Sequence, residues 1–283
     1  MITRPLQVSL VTIFVNTLLF ALKLVAALLS GSLAILSDSM NSLLDVVSST
    51  IMYVAIKVGK RRPDSNHPFG HQRAEPLAAM VIAILAGILS VEILRDTAVS
   101  FFDPTPVVVT PIVIGVVVFS ILTKIGLVQL LLLSDREGRS PALLAARVDS
   151  SNDVLASSLV LVALLGSYTG LWWMDQLAAI AVALWIAYSG FEIANQNLKY
   201  LMGEKPGPKL IREIRQKALH IEGVDDVNLV RAQYTGNVVQ VEIHIKLRRD
   251  TPFIEAHRIE HDVTKTLKRI PMVYHVFVHL DPG

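Results

Sequence analysis

The 283-residue sequence contains no cysteine, which excludes disulfides, cysteine-ligated zinc and thiol catalysis. Charge is also scarce. Asp, Glu, Lys and Arg make up 18% of the chain, against about a quarter in soluble domains. With 52% hydrophobic residues and a mean hydropathy of +0.52, this composition excludes a disordered chain and argues against an ordinary soluble enzyme. A formal net charge of +2 and no Lys/Arg-rich face give no reason to expect nucleic acid as a partner. No Ser/His/Asp set is present, and no loop places a nucleophile or general base beside an open metal position, so no enzyme is expected.

What charge there is lies unevenly. Residues 1–199 carry 26 charged side chains, 13%, whereas 200–283 carry 24, 29%. The chain therefore divides into a transmembrane domain, 1–200, and a soluble domain, 201–283. Six apolar segments reach the roughly 20 residues a membrane helix needs: 8–29, 33–56, 77–98, 107–133, 142–167 and 172–194. The first lacks a small-residue cleavage site and precedes five further spans, so it reads as a helix rather than a signal peptide. One set of flanks holds nine basic residues: Arg4, Lys57, Lys60, Arg61, Arg62, Arg73, Arg136, Arg139 and Arg147. The opposite set holds only Arg95. The positive-inside rule then predicts cytoplasmic termini and a cytoplasmic C-terminal domain. With no targeting extension, a bacterial or archaeal inner membrane is expected.

In the soluble part, Pro206-Gly207-Pro208 ends a linker before a short amphipathic helix, 208–220. Residues 238–248 alternate, with Val239, Val241, Ile243, Ile245 and Leu247 on one face and Gln240, Glu242, His244, Lys246 and Arg248 on the other. A helix is expected at 252–269, with Thr251 as N-cap before Pro252. Strands near 225–234 and 272–280 complete an αββαβ order, an α+β sandwich with its helices on one side of the sheet.

The informative feature is what interrupts the apolar spans. The second span carries Asp38, Asn41, Ser42, Asp45, Ser48 and Ser49, and the fifth carries Asp149, Asn152 and Asp153. Spacings of three, four and seven place such residues on one helical stripe. An ionised carboxylate near the bilayer centre costs several kcal/mol, at least about 2.5, unless it is partnered or hydrated. Asn41 with Asp45 and Asp149 with Asp153 form two i, i+4 oxygen pairs that can close around a cation, whereas Asp38 is expected to line the pathway. A polar helix–helix contact would account for Asn41 or Ser42 alone, but not for three acids in two matched pairs. Two lysines fall inside spans: Lys23 is expected to snorkel to the outer interface, and Lys124 to neutralise one acid in the absence of metal.

The run from Gly31 through Asp38-Ser39-Met40-Asn41-Ser42-Leu43-Leu44-Asp45 resembles the second-helix signature of the cation diffusion facilitator family. His67-Pro68-Phe69-Gly70-His71 followed by Ala74-Glu75 is similar to that family's H-x-F/Y-G-H-x-x-x-E motif, and the tail with His257, His279 and Asp281 resembles its cytoplasmic domain. The resemblance spans nearly the whole chain. It implies a homodimeric exporter of divalent metal ions driven by proton antiport, with a metallochaperone-like cytoplasmic fold. It also implies that the transport ligands are Asn41, Asp45, Asp149 and Asp153.

The zinc-type pattern has His in place of Asp149 and His or Asp in place of Asn41. Zinc favours imidazole and thiolate, whereas an all-oxygen set suits a harder ion such as Mn²⁺. Members with Asn in the second helix and two Asp in the fifth resemble the manganese branch. Mn²⁺ is therefore expected ahead of Zn²⁺ and Fe²⁺, with no tightly bound cofactor beyond transported or regulatory metal ions. Asp64, His67 and His71 in the loop after the second span have i, i+3, i+7 spacing that converges if the segment turns, and the family has a second metal site there; a structural clamp on the turn is the alternative. In the soluble domain the family's binuclear site maps onto His244, His257, His279 and Asp281, with His257 reaching the ion across a dimer. The family's first histidine corresponds to Asn228, which weakens the expectation of two ions. His220, His261 and His275 read as surface or packing residues. A non-transporting membrane metal sensor and a monovalent cation/proton antiporter are the rival readings.

Overall fold

A computed structural model describes residues 3–59, 61–102, 107–134, 141–171, 173–236 and 238–282. Lys60, Arg136 and Arg139 lie outside the described residues, as do the side chains of Arg4 and Asp149. Among the described residues, six helices long and apolar enough to cross a membrane come first. They are α1 (Thr3–Ser30), α2 (Leu33–Gly59), α3 (Ala74–Phe102), α4 (Pro111–Ser134), α5 (Pro141–Tyr168) and α6 (Trp173–Leu201). They match the six apolar runs and overrun most of them, because polar residues past the hydrophobic band keep the helical ladder going. The clearest case is α6, which continues through Asn195, Gln196 and Asn197 to Leu201. The chain forms two compact units, one of residues 1–51 with 81–192, the other of residues 52–80 with 193–283.

In the first unit, small side chains let helices approach closely, as membrane packing requires. Gly190 on α6 is one such point: a Cβ there would meet Ala86 Cβ at 3.0 Å and the Ala83 carbonyl at 3.2 Å. Ser90 donates to the Ala183 carbonyl at 2.9 Å, adding a polar tie between α3 and α6. The α1–α2 turn is closed by Gly31, whose φ of 67° allows its N–H to reach the Ala27 carbonyl at 2.9 Å. The N-terminus of α2 is capped from another helix. Buried Asp175 of α6 accepts from Ser32 Oγ, from Leu33 N at 2.8 Å and from Ala34 N at 3.3 Å. These are orphan amides of the first turn, and the carboxylate sits where the helix dipole favours it. Helix α4 packs against both α1 and α5.

The second unit contains α7 (Pro208–Leu219), β1 (Asp226–Thr235), β2 (Val238–Leu247), α8 (Phe253–Leu267) and β3 (Val273–Pro282). This is the expected αββαβ order. The strand order is β1-β2-β3, with β2 antiparallel to β1 and parallel to β3. The alternation of β2 is realised in full: Val239, Val241, Ile243, Ile245 and Leu247 are buried with Ile214, Ile259, Val263 and Leu267 of the two helices. Helix α8 begins one residue later than expected. Pro252 takes the cap position and no side chain caps the helix, so Thr251 does not act as the N-cap. The β1–β2 register shifts between Val227 and Leu229, leaving Asn228 as the extra residue of a bulge.

Candidate metal sites

Helices α2 and α5 meet through their polar stripes. Asn41 Nδ2 donates to Asp153 Oδ1 at 2.9 Å. Asp153 Oδ2 accepts from the Lys124 ammonium of α4, which also donates to Asn16 Oδ1 of α1 at 2.9 Å. Asp45 Oδ2 lies 3.8 Å from the same nitrogen. Three of the four expected transport residues, Asn41, Asp45 and Asp153, therefore converge with two that composition did not single out as a pair, Asn16 and Lys124. Helix α5 places the fourth, Asp149, one turn before Asp153. The cluster is more deeply buried on one side than on the other: Asp153 is 6% exposed and Lys124 1%, whereas Asp45 is 24% exposed.

A second charged cluster lies toward the α1–α2 turn. Lys23 Nζ is 2.8 Å from Asp38 Oδ2 and donates to Ser42 Oγ at 3.3 Å and Ser157 Oγ at 3.0 Å. Ser157 Oγ in turn donates to Asp38 Oδ2 at 2.9 Å. Lys23 is fully buried, so it does not snorkel to the interface. The physical reason is Asp38: an ammonium with a carboxylate and two hydroxyls within reach has no need of the headgroup region. Asn16 and Lys23 are two turns apart on α1, so one face of that helix serves both clusters.

In the loop before α3, Asp64, His67 and His71 converge. Asp64 Oδ1 is 3.1 Å from His67 Nδ1, Asp64 Oδ2 is 3.2 Å from His71 Nε2, and the two rings lie 4.5 Å apart. The backbone N–H of His67 bonds Asp64 Oδ1 at 2.7 Å and that of Asn66 at 3.0 Å. These bonds, led by the one from His67, hold the Asp64 carboxyl below its ordinary value of 3.8. One ligand atom from each residue lies within 4.8 Å of the others, close enough that a small inward shift lets one metal ion bridge them at bond lengths of roughly 2.0–2.3 Å. The loop is held within its unit by Phe69, packed edge-on against His275 at 5.8 Å, and by the β1–β2 turn, where Gly236 abuts the Gln72 carbonyl.

On the polar face of the sheet, His244, His279 and Asp281 form a second such group. The parallel register sets His244 beside His279, whose rings lie 4.6 Å apart. His279 Nε2 is 3.3 Å and His244 Nδ1 3.7 Å from the Asp281 carboxylate. The bulge turns Asn228 into this group, and its Nδ2 donates to Asp281 Oδ2 at 2.7 Å. Glu242, not expected from the sequence, contacts His244 Nε2 at 3.3 Å. His257 is outside the group: it is exposed on α8 and faces Glu260 at 3.1 Å. Among the described residues the donors of both groups, imidazole and carboxylate, suit a borderline divalent ion.

The model of the cation efflux transmembrane domain matches residues 9–202, and that of the cation efflux protein cytoplasmic domain matches residues 206–283. The chain belongs to the cation diffusion facilitator family. An uncharacterized transporter of Methanocaldococcus jannaschii is 31% identical over 280 residues, covering 99% of this chain and 98% of that one. The manganese efflux system protein MneP of Bacillus subtilis is 27% identical, covering 98% and 95%. The cation-efflux pump FieF of Cronobacter sakazakii is also 27% identical, covering 98% and 92%. A variant of the MamM C-terminal domain is 21% identical with a TM-score of 0.26, covering 26% of this chain and 95% of that chain. As a member of this family the protein is a multi-pass membrane protein of the metal-cation efflux class, with six membrane helices and a C-terminal domain of the family's cytoplasmic, dimerising type.

Proposed function

We propose that the protein exports a divalent metal cation, with Mn²⁺ preferred, from the cytoplasm in exchange for protons. The observation that carries this reading is the all-oxygen character of the convergence of Asn41, Asp45 and Asp153, with Asp149 one turn away on α5. Hard carboxylate and amide oxygens favour Mn²⁺ over Zn²⁺, whose tetrahedral sites draw on imidazole and thiolate. The relative named for manganese efflux, MneP, alike over nearly its full length, supports the same choice.

Metal from the cytoplasmic side meets Asp45, which is more exposed than Asp153, and then Asp153. Asn41 supplies a neutral oxygen once its amide turns. Binding requires deprotonated carboxylates, so affinity falls as pH drops. On the opposite, more acidic side, protonation releases the ion and the protons return inward. The count of nine basic flanking residues against one supports cytoplasmic termini in a cell inner membrane. The protein acts as a homodimer. Metal on His244, His279 and Asp281, with His257 of the second copy, biases the dimer toward a more active form, to the extent that the ion binds that form more tightly. Asp64, His67 and His71 hold a further ion.

The test is uptake by reconstituted proteoliposomes under a pH gradient, comparing Mn²⁺, Zn²⁺, Fe²⁺ and Na⁺. The control is the Asp149→Ala, Asp153→Ala double variant. Mn²⁺ uptake that is fastest and absent from the double variant supports the reading. A Zn²⁺ preference overturns the selectivity argument, and flux of no ion overturns transport.

A further inference from the structure

Lys124 sits near the midpoint of α4, 1% exposed, in a helix built mostly of Val, Ile, Leu and small residues with no other charged side chain. An ammonium in such surroundings persists only where its donors are met. It has three N–H donors and no acceptor, and three oxygens surround it, each from a different helix. They are Asp153 Oδ2 of α5, Asn16 Oδ1 of α1 at 2.9 Å, and Asp45 Oδ2 of α2 at 3.8 Å. Two of these belong to the transport set. A divalent cation needs the same thing an ammonium does, a concave set of oxygens with net negative charge. The two cannot hold Asp153 Oδ2 together, since each would bring its positive charge to the same atom at contact distance.

We propose that the Lys124 ammonium fills the cation position of the transport site in the metal-free protein, and that the incoming divalent ion binds by displacing it from Asp153. This inference rests on the transport reading given above. The lysine stem has four methylenes, long enough to withdraw the ammonium while the backbone of α4 stays in place. Its withdrawal exposes Asn16 Oδ1 as a further neutral oxygen beside Asp45 and Asp153. After the ion leaves on the far side, the ammonium returns to Asp153. The emptied site then travels back with Asp153 compensated by the ammonium and the other acids by the returning protons, so that no bare carboxylate crosses the low-dielectric core. Lys124 is thus a positioning residue for the empty half of the cycle and a built-in competitor for the loaded half.

Two readouts separate this role from a purely structural one. Full-length Lys124→Met and Lys124→Arg proteins are purified in lipid nanodiscs, and Mn²⁺ binding is measured by calorimetry at pH 8, where protons compete least with the metal. The Met variant is expected to bind Mn²⁺ at least about tenfold more tightly, a conservative figure for removing a like charge at contact distance. The Arg variant, which keeps the charge, stays near wild type. In proteoliposomes, net Mn²⁺ export by Lys124→Met falls well below its Mn²⁺/Mn²⁺ exchange, because only net export needs the empty site to return. Unchanged or weakened affinity in Lys124→Met, with Lys124→Arg folded and binding normally, overturns the proposal; so does an equal loss of exchange and net export. Wild-type protein that neither binds nor carries Mn²⁺ instead refutes the transport reading beneath it.

Discussion

Asn41 Nδ2 and Asp153 Oδ1 lie 2.9 Å apart and join α2 to α5 where the acids of the two helices gather. The contact is a hydrogen bond from a neutral amide to a carboxylate, so it both fixes the helices and leaves each group able to offer oxygen to a cation. Asn41→Leu removes the bond and one oxygen. It is expected to cost about 1.5–3 kcal/mol of stability, the range for a hydrogen bond to a charged group, and to raise the KM for Mn²⁺. Thermal melts in detergent and initial-rate uptake check the two parts separately.

Ligand hardness makes a prediction about selectivity. Asp149→His replaces a carboxylate with an imidazole in the fifth helix, and Zn²⁺ gains from this more than Mn²⁺ does. The ratio of Zn²⁺ to Mn²⁺ uptake is expected to rise by tenfold or so, which is about 1.4 kcal/mol of discrimination. A ratio unchanged in competition assays would mean that Asp149 is not a ligand.

The Lys23–Asp38 pair is buried on both sides. Lys23→Met leaves Asp38 without its cation and is expected to destabilise the protein by about 3–5 kcal/mol, the range for breaking a buried pair. Adding Asp38→Asn removes the stranded charge, so the double variant is expected to recover much of that loss. A double variant no more stable than Lys23→Met in urea or thermal unfolding would contradict the pairing.

In the loop, Asp64 accepts from two backbone amides and faces two histidines. Asp64→Asn keeps an acceptor for the amides but loses the charge. The loop is expected to keep its shape and lose a metal-dependent shift of the His67 and His71 NMR signals. The sign of the pH effect follows from the lowered carboxyl. The ordering contributed by ionised Asp64 is complete above its ordinary value of 3.8 and is lost as pH falls through the lower value it takes in the fold.

The architecture was legible because its signals are long-range averages. Six apolar runs and the period-two alternation of Val239 to Leu247 each commit many residues to one answer. The clustered acids were legible for the opposite reason: Asp45 and Asp153 are individually expensive in a membrane and so stand out. The pairing of the second and fifth helices and of Lys124 with an acid was expected and is seen; what sequence did not disclose was the rest of the pairing between helices. Lys23 read as a snorkelling residue because its partner, Asp38, lies fifteen positions away on the next helix, and only the α1–α2 turn brings them together. Asn16 carries no charge and gave no signal beyond being polar in an apolar run. Asn228 read as a lost ligand, and the bulge that aims it at Asp281 depends on a one-residue register shift that no periodicity reveals. Thr251 read as a cap by residue type alone, yet Pro252 takes that position.

The most direct measurement is of proton movement during metal transport. Proteoliposomes with the cytoplasmic domain facing outward are loaded with a pH-sensitive dye and given external Mn²⁺. Coupled exchange predicts that the lumen becomes alkaline as Mn²⁺ enters, and that the Asp153→Ala protein does neither. Mn²⁺ entry with no change in luminal pH, or equal entry by Asp153→Ala, would contradict the account.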